Sequence, residues 1–442
     1  MMRGKLNLFQ VSMLRWKELH PYSAVHAVGV AQRLDTVRAR ESIARELAAR
    51  GLTHLTLDAR GGRYDYAGGA APVALDVLPG GADAREVLRG EIERQLNTPF
   101  PADGAFDPFR FFVIDGETSF TLALAYDHFV AGGDSIVLLL QAIVARYVAH
   151  GEERLPPEAV PELYPATFRR LLLRHTGAVL RGSLSLPRLA WSCRQSNRPR
   201  YLRWPPSTNG FLSFRLEPGE FAAILRTAKE WNVSLNDLFI AVMLRALSPL
   251  AEGRLKSRHR FYMAAASIIN IRHDVGAGVR SYFGQFLSSF RVAHRVPPGI
   301  SLRDLARDIR AQSTDWRSRK LYLQTLVVMG YTSIAWRFLG LPQRQGFHHK
   351  NWPVWAGVTM LNVDALWREG GATDPPPPYL RAVSTGPLAP VVFAVTTVGG
   401  AVEAGISYRT AAFDEGGAEA LAARVRATLQ AMGRTAGVGT VE

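Results

Sequence analysis

Residues 120–151 constrain this chain more than any other stretch. FTLALAYDH alternates apolar and polar or small side chains, VAGGD interrupts the pattern, and SIVLLLQAIVARYVAHG follows with helical length and a nearly continuous apolar face. A period of two ending on the polar pair Asp127–His128 predicts a half-buried strand that delivers those side chains at its end, and the longer period beyond it predicts a helix. Asp134 or Ser135 is the expected N-cap, because either side-chain oxygen can accept from the free N–H groups of a first helical turn. His128 therefore falls in a strand-to-helix loop.

The same alternation runs along the rest of the chain. Residues 22–60 pair the apolar run YSAVHAVGV with the helical RARESIARELAAR and the strand-like LTHLTLDAR, a β-α-β rhythm. A glycine-rich connection, Gly61 to Gly81, leads to the helix candidate ADAREVLRGEIERQLN and the extended segment DPFRFFVID. Pro156 to Pro165 form a proline-rich break, and the Arg- and Leu-rich residues 166–206 read as a linker. Beyond it come a strand, two helices with a cap at Ser234 or Asn236, a series of strand-like runs from residue 261 to residue 409, and a terminal helix from Asp414. The class expected is α/β (α+β), with an N-terminal lobe at 1–165, an inter-lobe linker at 166–206 and a C-terminal lobe at 207–442.

The charge of +15 raises the question of a nucleic-acid partner. No recognised nucleic-acid motif accompanies it, and only six of the 53 basic residues are lysines, an Arg-rich composition that GC-rich coding alone would produce. Nucleic acid is therefore not expected as a partner. The single Cys193 rules out an intrachain disulfide and a multi-cysteine zinc site, and suits a reducing compartment. The first residues lack the continuous apolar run of a signal peptide, so the cytoplasm is the expected location. Residues 321–340 approach the hydropathy of a membrane span, but Gln324, Thr325, Thr332, Ser333 and Arg337 interrupt them, which favours a buried or interfacial helix. Together with residues 168–204 they leave peripheral contact at the inner face of the membrane open as a second expectation. No metal-ligand spacing, phosphate loop, dinucleotide fingerprint or G-x-S-x-G elbow occurs, and His348-His349-Lys350 reads as a polar loop.

The order of NTPFPADGAFDPFRFFVID, YDHFVAGGDS, VSLNDLFIAVMLRAL, SIINIR, YFGQFLSSFRV, VTMLNV and AGISY resembles the condensation-domain superfamily of CoA- and carrier-protein-dependent acyltransferases over nearly the whole chain. The resemblance implies a two-lobed, chloramphenicol-acetyltransferase-like fold, each lobe a mixed sheet flanked by helices, with a tunnel between them. It also implies that His128, at the position of the family's His-x-x-x-Asp-Gly histidine, acts as general base. Imidazole titrates near neutrality, so a neutral ring nitrogen can take the proton of a hydroxyl or amine attacking an acyl thioester. The co-substrate implied is acyl-CoA or a phosphopantetheine-linked acyl group on a carrier protein, with no permanently bound cofactor and no metal. The acceptor is left open among lipids, glycolipids and secondary metabolites.

Here the sequence departs from the pattern. Ala131, Gly132 and Gly133 stand where the family has x-Asp-Gly, so Gly132 replaces the motif aspartate, and Asp127 replaces the histidine that often precedes the catalytic one. The missing aspartate implies loss of a loop-holding ion pair with an arginine. Asp134 is the expected substitute and Arg272 its expected partner, while Gly132 and Gly133 could instead serve backbone conformations of positive φ. Asn270, Gln285 and Asn362 fall near the family's tunnel or substrate positions, with loop-tying as the alternative for the asparagines. Two functions follow: an acyltransferase, or a catalytically degenerate protein that binds an acyl carrier or lipid.

Overall fold

The computed structural model describes residues 2–149, 168–204, 208–276, 282–370 and 375–435. The proline-rich break at 156–165 and the expected boundary after residue 165 lie outside the described residues. The strands are β1 (Met2–Lys5), β2 (Ser23–Val30), β3 (Leu55–Asp58), β4 (Arg63–Tyr66), β5 (Leu75–Pro79), β6 (Gly104–Phe106), β7 (Phe109–Asp115) and β8 (Phe120–Asp127), then β9 (Asn209–Leu216), β10 (Met263–Asn270), β11 (Leu287–His294) and β12 (Ala356–Asn362), and finally β13 (Tyr379–Val383), β14 (Val391–Val398) and β15 (Ala401–Arg409). The chain divides into two compact units. One holds Met1–Leu171, Asn270–Leu287 and Leu361–Val383, and the other holds the remainder.

The first unit is built on a mixed sheet of order β13-β2-β8-β7-β5. β8 runs antiparallel to both β2 and β7, whereas β5 joins β7 in parallel. β8 is buried along almost its whole length rather than on one face. Its alternate positions hold Ala123 and Ala125, small enough to be covered in turn, while Leu122 and Leu124 fill the other side. The helices Ala84–Asn97 and Gly133–Val148 pack on this sheet. The division at residue 207 is corrected here: β13 lies far along the chain, yet its backbone pairs with β2 from Tyr379↔Val28 to Val383↔Ala24, which assigns it to the first unit.

A smaller sheet of order β1-β4-β3-β6 accompanies the first. The glycine-rich connection at 61–81 is corrected as well, for it contains β4 and β5. Each is only four or five residues long; β4 pairs with its neighbour β3 and with β1, and β5 with the distant β7.

The second unit contains a six-stranded sheet of order β11-β10-β12-β14-β15-β9. Helices Pro218–Glu230, Leu235–Leu247 and Glu415–Thr435 bury Ile224, Leu238, Leu244, Leu421 and Val425 with it in one core. Ser234 caps the second of these helices, accepting from the Asp237 N–H. Gly399 and Gly400, with φ of +57° and +72°, make the two-residue turn between β14 and β15, where the left-handed region is needed twice in succession.

Residues 166–206, expected as a linker, are from Leu172 onward part of the second unit. They form the helices Phe168–Arg174 and Thr176–Arg194, the latter packed on Leu323–Ala335. The backbones come close because position 182 is glycine: a Cβ there would lie 2.9 Å from Gln324 Cβ. His348, His349 and Lys350, expected in a polar loop, end the helix Leu341–Asn351, which begins with Pro342 in its first turn and the Gln343 side chain on the Gly340 N–H. No single described helix is long and apolar enough to cross a membrane.

Candidate active site

The candidate site residues belong to the first unit. β8 ends at Asp127, which faces Ser23 of β2 and donates its N–H to Pro108 O at 3.0 Å. The chain turns at once, with Val130 N–H on Asp127 O at 3.1 Å, and Gly132 closes the loop by donating to Gly284 O at 3.0 Å. Three more contacts hold the loop: His128 N–H on Tyr22 O (3.4 Å), Gln10 Nε2 on Phe129 O (2.9 Å) and Gln285 Nε2 on His128 O (3.4 Å). His128 thus leaves the end of a central strand on a backbone tied from several sides.

The helix that follows begins at Gly133, with Gly132 as an N-cap that supplies no side-chain hydrogen bond. Asp134 and Ser135, expected as caps, lie inside the first turn instead. The Asp134 carboxylate accepts from Arg272 Nε and, at 3.0 Å, from Asn270 Nδ2. Arg272 also donates to Ser135 Oγ and to Tyr282 O, both at 2.6 Å, and lies 4.2 Å above the Phe286 ring. A carboxylate in the first turn also suits the positive end of the helix dipole.

Neither Gly132 nor Gly133 has positive φ, so the backbone reason expected for these glycines does not apply. Crowding does. A Cβ at Gly132 would meet Asp134 Oδ1 at 2.9 Å, and one at Gly133 would sit 3.3 Å from His26 Cε1 and 3.4 Å from Arg381 Nη1. Asp127 forms an ion pair with Lys17, both side chains nearly fully buried. Burial pushes the Asp127 carboxyl up from its usual range, against the pull of Lys17.

His128 stacks on Tyr22, with ring centroids 5.4 Å apart and planes 27° from parallel, and meets Tyr126 edge-on. Its Nδ1 faces Ala131 O at 3.3 Å. A carbonyl only accepts, so this contact selects the tautomer with the proton on Nδ1 and puts the lone pair on Nε2. Burial lowers the imidazole to about 4, so the ring is neutral at physiological pH. A neutral histidine with a defined basic nitrogen can accept a proton from an attacking hydroxyl or amine.

No family model matches the sequence, and no curated protein does. Solved structures do. The first condensation domain of the calcium-dependent antibiotic synthetase, in complex with a substrate analogue, superposes with a TM-score of 0.71 at 15% identity, covering 98% of this chain and 97% of that one. The epimerization domain from the third module of tyrocidine synthetase B matches with a TM-score of 0.67 at 13% identity over 98% and 97%. The SgcC5 protein from Streptomyces globisporus matches with 0.67 at 15% over 98% and 99%. The chain has the condensation-domain fold.

Within that fold, the expected residues separate into two groups. His128, Gly132, Gly133, Asp134, Arg272, Asn270 and Gln285 converge on one loop. Asn270 ties Asp134 to the Arg272 N–H, and Gln285, fully buried, places its amide between Met13 Sδ and the His128 carbonyl. Asn362 instead caps the helix Val363–Glu369 from an exposed position, accepting from Ala365 N–H at 3.1 Å. Asp127 is committed to Lys17.

The candidate site also contains residues that the sequence did not assign to it. Tyr22 stacks on the imidazole, and Ser135 bridges Arg272 and Gly284. His26, fully buried, is hydrogen-bonded to Tyr379 OH at 2.7 Å and is held well below its usual pKa by burial, with Arg381 and His128 adding to the effect. Arg381, 3% exposed, is itself lowered to about 10 by burial. A lone His in SAVHAVGV and a lone Arg in YLRAV are visible signals, since a charged or titratable group inside an apolar strand requires an explanation.

Proposed function

We propose that this protein transfers an acyl group from a CoA or carrier-protein thioester to a hydroxyl or amine, with His128 as general base. The observation that carries the reading is the His128 ring itself: Nδ1 on the Ala131 carbonyl, Nε2 basic, and the imidazole neutral through burial. The acceptor gives its proton to Nε2 as its oxygen or nitrogen attacks the thioester carbonyl. The tetrahedral adduct then expels the thiolate, which takes the proton back from Nε2, so that the acyl product, the free thiol and the neutral base remain. No acyl-enzyme is needed.

Gly132 in place of the motif aspartate favours the second reading, a degenerate protein that binds an acyl carrier or lipid without turnover. Asp134 answers it, because its carboxylate takes Arg272, 138 positions along the chain, as an ion-pair partner. The structural neighbours, condensation and epimerization domains of the calcium-dependent antibiotic and tyrocidine synthetases, support a carrier-borne thioester as donor. The buried, unpaired Cys193 supports a reducing compartment such as the cytoplasm.

The test is thiol release from a panel of acyl-CoA and acyl-carrier thioesters with a metabolite and lipid extract as acceptor source, comparing the native protein with His128→Ala. Loss of a general base should cost about 100-fold or more. Acceptor-dependent release that vanishes in the variant supports the transferase. Equal thioester binding by both proteins, with no release by either, would establish the binding protein.

A further inference from the structure

The helices at 176–194 and 323–351 of the second unit carry an exposed surface that holds none of the residues described at the His128 site. From residue 168 to residue 204 the chain holds nine arginines and no lysine, aspartate or glutamate. From residue 321 to residue 352 it holds Arg337, Arg344 and Lys350, again with no acidic residue. The two stretches pack together, joined by Ser185 Oγ on Gln324 Oε1 at 2.8 Å, so the acid-free regions form one cluster in a chain that has 38 acidic residues elsewhere.

Helix Thr176–Arg194 turns Ala178, Gly182 and Cys193 inward. Outward it presents Leu180, Leu184 and Trp191, the last two 72% and 60% exposed, at spacings of four and seven that align them along one face. Arg181 and Arg188, each one residue past or three short of that stripe and seven apart, run beside it. The partner helix and the turn after it expose Tyr331, Ile334 and Phe338 at spacings of three and four, with Phe338 82% exposed. Single exposed apolar side chains are ordinary, but a run of large ones on adjoining helices marks a surface that is covered in use.

We propose that this cluster docks the protein on an anionic lipid bilayer, with the apolar tips in the headgroup boundary and the arginines against lipid phosphates. Apolar and aromatic side chains beside a cationic stripe, with no acid between them, are what a helix lying in the membrane plane requires. A nucleic acid would engage the arginines and leave Leu184, Trp191 and Phe338 in water. The inference is independent of the catalytic reading, since vesicle binding needs no turnover and His128→Ala should bind as the native protein does.

The experiment is co-sedimentation of the full chain with phosphatidylcholine vesicles, with and without phosphatidylglycerol, and in parallel a binding titration with duplex DNA. The chain should sediment with the phosphatidylglycerol vesicles alone. Arg181→Gln, Arg188→Gln and Arg194→Gln combined should weaken that binding by about 100-fold, at roughly fivefold for each charge. Leu184→Ser, Trp191→Ser and Phe338→Ser combined should weaken vesicle binding by at least tenfold, at several-fold for each buried side chain, and leave DNA binding unchanged. If the triple variant does not fold, Phe338→Ser alone serves, because that side chain is mostly in solvent. Failure to sediment with phosphatidylglycerol vesicles overturns the proposal. So does an apolar variant that binds them as tightly as the native chain, which would point to an acidic macromolecule instead.

Discussion

Asp134 and Arg272 form a buried ion pair between residues 138 positions apart, each side chain less than one-tenth exposed. The pair joins the helix behind His128 to the segment 270–287 of the same unit, and Asn270, Ser135 and the Tyr282 carbonyl complete its hydrogen bonds. A buried charge with all its partners in place is tolerable, whereas one left alone is not.

Removing one member should therefore be costly. Asp134→Ala strands the Arg272 guanidinium and should lower the unfolding free energy by about 3–5 kcal/mol, measured by urea denaturation. Gly132→Asp in the native background should also destabilise, because its Cβ would meet Asp134 Oδ1 at 2.9 Å and set two carboxylates together. Combined with Asp134→Gly, the same substitution should recover part of the loss, as a double-mutant cycle would show. Additive losses would mean that the two positions do not share one carboxylate site.

The acid side of the pH profile follows from the buried imidazoles. His128 is lowered to about 4 and His26 lies well below its usual value, both chiefly by burial. As the pH falls below about 6.5 the unfolded chain takes up protons that the folded chain refuses, so stability is full above that value and declines toward pH 4. The slope should approach 1.4 kcal/mol per pH unit for each imidazole, seen in denaturant midpoints across the range. The kcat/KM of acyl transfer should stay level from pH 8 to about 5 and fall only near the low pKa of His128. An acid limb near 6.5 would show that the imidazole is not desolvated in the working enzyme.

Tyr22 stacks on the His128 imidazole, and the proposed acyl transfer should depend on it through that ring. Tyr22→Ala should reduce kcat by about tenfold, the equivalent of an aromatic pair worth up to 1.5 kcal/mol, with KM little changed. Tyr22→Phe keeps the stack and should retain most of the rate. Equal losses in both variants would assign the effect to the phenol hydroxyl instead.

What lies within a dozen residues was legible in the sequence. The strand ending at Asp127, the loop bearing His128, the helix after it and the cap at Ser234 all follow from side-chain period and capping chemistry, which act through local dihedral preference and the burial of one face. The short strand β5 could not be read in this way, since its hydrogen bonds are made to β7, more than 30 residues along the chain. The Asp134–Arg272 pair is one that the family resemblance names, whereas tertiary structure decided that Asp127 belongs to Lys17 and that β13 joins the first unit. The reason is the same in each case: a buried charge or an open strand edge carries a desolvation cost that only a partner at the right place in space can offset, and no local pattern names that partner.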